Sequence, residues 1–265
     1  MPAAASPLDL LAPGTAEVAI LSACRVGGLV LVAPMFSSKT VPMMVRTAVL
    51  LVLTLVMQPA AQATALAGAA LTPGTFLTES LIGFSVGFGA ALLVGAAELA
   101  ADLSSQAIGL SGASVLDPLG GHQTSVIGQA FALMGATLLL ATGGHHVMLE
   151  AVANSFQRVP VGVEANAAMA LKVLANDGAV LFALGLQIAA PVIAAALVTN
   201  VGLGIVSRAV PSLNLMNMAF PVQIAVGLVA LAFSLPFLGI VTGGWGEQVR
   251  SMTGDVLTAL VRGAR

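Results

Sequence analysis

No tyrosine occurs in this chain, and Trp245 is its only tryptophan. A helical bundle surrounded by lipid carries a belt of both residues at its two interfaces. Their scarcity indicates that much of the apolar surface faces protein rather than lipid. Charge is scarce too: 8% of the 265 residues are charged, against 58% hydrophobic. Soluble domains carry about 25% charged residues. Nine basic and eleven acidic side chains could hardly cover a water-soluble monomer. The chain therefore belongs in a membrane, or inside an equally apolar assembly. A net charge of −2 offers nothing to nucleic acid. The lone Cys24 excludes a disulfide within the chain and a cysteine-rich metal site, and reads as a small buried side chain. Residues 1–16 hold Asp9 and no basic residue, so they are not expected to form a cleavable signal peptide. The positive-inside rule gives no orientation. Lys39 and Arg46, Arg158 and Lys172, and Arg250, Arg262 and Arg265 fall in separate regions that no alternation of sides collects.

What is present centres on residues 80–118. Residues 80–97 contain no charged side chain, and Gly83, Gly87, Ala91 and Gly95 recur every four residues. On a helix this spacing makes a smooth stripe that another backbone can approach closely. A large side chain at Gly87 is expected to disturb assembly with partner subunits. Further along, Glu98, Asp102, Ser105, Gln106 and Gly109 continue the stripe with mostly polar groups. Carboxylates there suit a wet or protein-lined surface, since lipid rejects them. The seam runs into a loop of small residues, Gly109, Leu110, Ser111, Gly112, Ala113, Ser114, Val115, Leu116, Asp117 and Pro118.

The remaining segments read as helices throughout. Residues 17–32 form a first apolar helix that contains Arg25. Residues 45–57 form a second, stopped by Gln58 and Pro59. Thr72, Pro73 and Gly74 start a third, with Glu79 expected in its first turn, where the helix dipole favours an acid. Residues 125–142 form a fourth, before a break at Gly143, Gly144, His145 and His146. Residues 147–156 look amphipathic, residues 158–177 form the most water-like region, and an uncharged run over 178–207 contains Pro191. That run fits one kinked helix or a broken pair. Residues 221–239 form the last apolar helix, and the tail from Trp245 is weakly amphipathic. The expected class is all-α, a hydrophobic multi-helix membrane protein with broken and kinked hairpins, organised as a single domain over 1–265.

Sites of chemistry are few. Adjacent His145 and His146 point about 100° apart on a helix. His146 and Glu150 could share a metal, but a polar contact at a helix boundary accounts for them as well. Arg25 within an apolar helix needs an acid, with Glu98 or Asp102 the natural candidates. Met35, Met43, Met44, Met216 and Met218 lie near breaks, where gap-filling in a core is the default reading and a gasket around a pore the alternative. No Ser-His-Asp set, P-loop or paired-carboxylate motif appears, so no enzyme and no cofactor is indicated.

Several pieces resemble the FliR family, the export-gate proteins of bacterial flagella, with counterparts in type III secretion systems. They are Arg25 to Gly28 with Ala33 to Phe36; Glu79 to Gly83; Gly109 to Ser111 with Asp117, Pro118 and Gln123; Gly144 to His146; Ser155 and Phe156 with Pro160 to Gly162; Pro191; and Asn200 to Gly204 with Arg208, Pro211, Leu213, Asn214 and Phe220 to Gln223. The resemblance implies a helical assembly with FliP- and FliQ-like subunits, working with FlhA- and FlhB-like export proteins. That assembly passes unfolded flagellar subunits out of the cytoplasm. It implies a place in the bacterial inner membrane and the flagellar basal body, partly above the bilayer on the periplasmic side, in contact with membrane lipid. It also makes residues 109–118 a pore plug, in which the family's usual aromatics are replaced by Gly112, Val115 and Leu116. A secondary transporter with a site at its broken helices is the alternative, although the two halves show no repeat.

Overall fold

The computed structural model describes residues 14–38, 41–110, 125–165, 167–209 and 215–263. Among them every regular element is a helix. In chain order these are α1 (Thr15–Val32), α2 (Pro34–Ser37), α3 (Met43–Thr64), α4 (Pro73–Ala107), α5 (Val126–Ala141), α6 (Gly144–Arg158), α7 (Ala167–Ala209), α8 (Leu215–Gly243) and α9 (Trp245–Gly263). Five segments are long and apolar enough to cross a membrane: α1, α3, α4, α7 and the stretch Ala219–Pro236 of α8. The all-α membrane class read from composition is therefore the class observed.

Helix boundaries depart from expectation at Pro59 and before Pro221. Pro59 does not stop α3, which runs on to Thr64. Pro191 lies inside an unbroken α7 of 43 residues, and Pro221 and Pro236 lie inside α8. All four prolines are exposed. On the outer side of a helix the ring meets no neighbour, and the carbonyl it deprives of a bond can tilt outward with the local bend. Gln58, the other expected stop signal, is instead buried. Its Oε1 lies 3.1 Å from Ser22 Oγ, and its Nε2 donates to the Thr15 carbonyl at 3.5 Å. These bonds fasten the second half of α3 to α1.

The chain divides into two compact units. The first comprises residues 1–92, 143–178 and 245–265; the second comprises 93–142 and 179–244. In the first, Leu81 and Ile82 of α4 pack with Val159, with Ala170 and Leu174 of α7, and with Val256, Leu257 and Leu260 of α9. The lone Trp245 opens α9 and is fully buried, so it is a core side chain and not an interfacial anchor. In the second unit, Ala97, Ala100 and Ala101 of α4 pack against Phe131 of α5, Ile188 and Ala189 of α7, and Leu238 of α8. Met43 and Met44 are 72% and 83% exposed. Gap-filling is therefore not their role, because no core surrounds them.

The small-residue stripe is used within the chain, by α1. A Cβ added to Gly83 would collide with the Arg25 carbonyl, and one added to Gly87 would lie 3.0 Å from Leu29 O and Ala33 N. The fit is reciprocal, because a Cβ on Gly28 would come within 2.7 Å of Phe84 N. Gly95, in the second unit, faces only the end of the Leu181 side chain, at 3.2 Å. The expectation that a large residue at Gly87 acts first on partner assembly is therefore corrected: the neighbour it displaces is α1 of the same chain. Overpacking of this kind typically costs about 1–3 kcal/mol. Gly83→Leu is expected to abolish recovery of monodisperse protein in detergent, while Gly95→Ala leaves it near wild type, because a leucine terminus can yield and a backbone cannot. Equal recovery of both variants would refute the α1–α4 contact as the reason for the stripe.

Candidate functional site

Arg25 sits midway along α1 with its side chain wholly removed from solvent. A bare guanidinium there would be prohibitive, so its nitrogens must find oxygen. Each of the three donates one hydrogen bond. Nε donates to Glu79 Oε2 at 2.6 Å, Nη1 to Ser155 Oγ at 3.0 Å, and Nη2 to the Val159 carbonyl at 3.0 Å. The guanidinium carbon also lies 4.3 Å from the centre of the Phe156 ring, on whose face a cation is favoured. Glu79 is equally buried, and its second oxygen accepts the Gly162 backbone N–H at 3.3 Å. The Ser155 hydroxyl in turn donates a hydrogen bond to the Val152 carbonyl at 2.6 Å. One ion pair thus joins α1, α4, the last turns of α6 and the connection beyond it.

That connection is strapped down along its length. Leu66 N donates to the Val161 carbonyl, and Ala165 N donates to Thr78 Oγ1. Thr72 Oγ1 also bonds the Glu164 carboxylate. Gly162 adopts φ +91°, and a Cβ there would come within 2.7 Å of Ala69 Cβ. Both the backbone angle and the lack of space require glycine at this position.

The partner expected for Arg25 is therefore corrected. It is Glu79, not Glu98 or Asp102. Close packing of Gly28 on Phe84 and of Gly83 on Arg25 sets where α1 crosses α4. Glu98 lies about five turns beyond Glu79 along that helix, far outside the reach of an arginine. Nor is Glu79 a first-turn acid favoured by the dipole, since α4 begins at Pro73.

Asp102 has a different task. Its Oδ1 accepts Ser125 Oγ at 2.6 Å and Ser125 N at 3.3 Å, while Ser125 Oγ caps α5 by accepting Gly128 N at 2.8 Å. Ser105, one turn further along α4, lies 3.3 Å from the same hydroxyl. Gly128 has no Cβ to obstruct the approach of the Asp102 carboxylate. The other end of this connection leaves α4 through a Schellman turn. Leu110 N reaches the Ser105 carbonyl at 2.9 Å, Gly109 N reaches Gln106 O at 3.2 Å, and Gly109 takes φ +81°. The remaining end carbonyl, on Ala107, accepts Gln223 Nε2 of α8 at 2.7 Å. Both ends of the loop after α4 are thus fixed at neighbouring turns of one helix. Of the ten expected plug residues, Gly109 and Leu110 belong to this frame, and Ser111 to Pro118 lie outside the described residues.

Glu98 is partly exposed and makes no ion pair among the described residues. Glu150 is engaged by Arg250 at 2.7 Å, and the rings of His145 and His146 lie against each other, 4.0 Å between centres. Sequence reasoning missed that Glu79, Ser155, Val159 and Gly162 are the acceptors and donor around Arg25. Two of the resembling pieces, Glu79 to Gly83 and Ser155 and Phe156 with Pro160 to Gly162, contain or adjoin these residues, but nothing in their spacing says that they meet.

Helices of this kind, held by a buried ion pair and presenting long apolar segments, define an all-helical membrane protein whose fixed groups serve architecture. The chain belongs to the bacterial export proteins, family 1, whose model matches residues 16–247. Its relatives include the flagellar biosynthetic protein FliR of Caulobacter vibrioides, 30% identical over 251 residues that cover 91% of this chain and 96% of that one. FliR of Pectobacterium carotovorum subsp. carotovorum is 27% identical over 241 residues, covering 89% and 91%. FliR of Escherichia coli strain K12 is 24% identical over 237 residues, with the same two coverages.

Removing one member of the Arg25–Glu79 pair leaves a buried charge without its counterion, at a cost of about 3–5 kcal/mol. Arg25→Leu and Glu79→Leu should each sharply reduce folded protein, and the double variant should recover part of the loss. Thermal unfolding of all four proteins in detergent measures the coupling; strictly additive effects would show that the two side chains act independently.

Proposed function

We propose that this chain is a component of the flagellar protein export gate in the bacterial inner membrane. The observation that carries the reading is the match to flagellar FliR proteins along about nine-tenths of both lengths. In this role the chain assembles with FliP- and FliQ-like subunits and works beside FlhA- and FlhB-like proteins. The assembly forms the passage for unfolded flagellar subunits. Its outward apolar helices support that reading. Of the most apolar stretch of α3, only 11% is buried, and Phe233 of α8 is 82% exposed. Such surfaces need lipid or partner subunits to cover them. The buried groups support it as well, since Arg25 and Glu79 are paired within the protein and reach no solvent.

A strain lacking this chain should retain hook and filament subunits in the cytoplasm and lose motility, and restoring the chain should restore both. Normal secretion by the deletion strain would overturn the reading. Within it, residues 109–118 act as the plug. Leu116 and Val115 supply apolar bulk that excludes water from a narrow passage. The ends pinned by Asp102, Ser105 and Gly109 give such a loop a fixed seat. Deleting residues 111–116 should let a small thiol reagent into cells that still assemble the gate and still export. If the assembled variant admits no more reagent than wild type, the loop is not the seal.

A further inference from the structure

We propose that the cleft between the C-terminal ends of α6 and α9 binds the phosphate of an anionic phospholipid headgroup. The cleft is lined by Arg158 of α6 and by Leu257, Thr258, Val261 and Arg262 of α9, and encloses about 470 Å³. Three of the other arginines are engaged within the chain, and Arg208, exposed and without an ion pair among the described residues, does not line this cleft. Arg25 is spent on Glu79, Arg46 on the carbonyls of Ser37 and Ser38, and Arg250 on Glu150 and Glu247. Arg158 and Arg262 are exposed, and among the described residues neither has an acid within 4.0 Å. In a chain with only nine basic residues, two unpaired guanidinia line one cleft.

The geometry favours a shared anion. Gly254, Thr258 and Arg262 recur every four residues and so share one face of α9. Arg158 leans onto that face, because a Cβ on Gly254 would lie 3.6 Å from its Nη1. The Thr258 hydroxyl donates to the Gly254 carbonyl at 2.8 Å, and no carboxylate lines the cleft. Guanidinium forks match phosphate oxygens in shape and charge. Two helix C-termini carry partial negative charge, which suits the arginines and slightly opposes an anion. Two full positive charges outweigh it. The lining also distinguishes lipid from free phosphate. Leu257 is buried and Val261 is 39% exposed, so an apolar wall adjoins the cations. A free phosphate gains nothing from that wall, whereas the glycerol and upper acyl carbons of a phospholipid cover it.

Native mass spectrometry of the full chain, purified in detergent and offered phosphatidylglycerol or phosphatidylcholine, tests this. Wild type should retain phosphatidylglycerol in preference to phosphatidylcholine. The Arg158→Gln, Arg262→Gln pair should lower that retention about tenfold, equivalent to about 1.4 kcal/mol. The Arg158→Lys, Arg262→Lys pair should fall between, and Arg208→Gln, an exposed arginine elsewhere, should match wild type. Neither arginine of the cleft holds another residue in place, so circular dichroism should be unchanged. Should the double glutamine variant yield too little protein, Arg262→Gln alone carries the same comparison. Equal retention by wild type and the glutamine variants overturns the site. Displacement of the bound lipid by equimolar inorganic phosphate overturns the lipid as its occupant.

Discussion

A guanidinium sealed from water sets the terms for the first unit. Its charge is tolerable only if its nitrogens meet acceptors, and the three acceptors come from α4, from α6 and from the residue that follows α6. Each acceptor has its own constraint. Glu79 is held by Gly162 N, and Ser155 by the Val152 carbonyl. The ion pair and its neighbours therefore specify one arrangement of segments that lie 54 to 134 residues apart in the chain. Close approach makes this possible. Without bare glycines where α1 crosses α4, the two helices would stand too far apart for Arg25 to meet its acid.

Much of this was legible in advance, and the omissions have physical causes. Composition placed the chain in a membrane or an equally apolar assembly, and the series of apolar segments gave the all-α class. The limits of α1 followed from Ala33 and Pro34, and the need of Arg25 for an acid followed from desolvation. Which acid could not be read. Periodicity gives the face of a helix, but the partner depends on where two helices cross, and that is decided by contacts between residues distant in sequence. Glu98 and Asp102 were attractive because they continue the glycine stripe. The crossing lies nearer the start of α4, and the stripe itself extends past it. Pro59 misled in a related way. The cost of a proline as a helix breaker depends on the side it faces, and Pro59 faces outward. Asp102 was legible as a polar continuation of the seam, but not as a cap acting through Ser125. That role needs the chain to return beside α4.

Burial is divided unevenly among the apolar helices. In its most apolar stretch α4 is 72% buried, whereas the corresponding stretch of α3 is 11% buried, although both are equally plausible spans by composition. Hydropathy records how little a segment wants water. It does not record whether lipid, a partner or the chain's own core excludes that water. The distribution of small residues carries that information better. Gly83 and Gly87 lie where backbones meet, while the outer face of α3 displays Leu51, Val52, Leu55 and Val56.

Trp245 has a use beyond packing. The chain has no tyrosine and no second indole, so in isolation its intrinsic emission comes from one ring. That ring is fully enclosed at the start of α9, and its N–H has no hydrogen-bond partner among the described residues. An indole in such surroundings emits at shorter wavelength than one in water. Loss of α9 from its seat would move the whole spectrum at once, with no background from other residues. The protein therefore carries its own single-site optical reporter, placed in the same unit as Arg25 and Glu79.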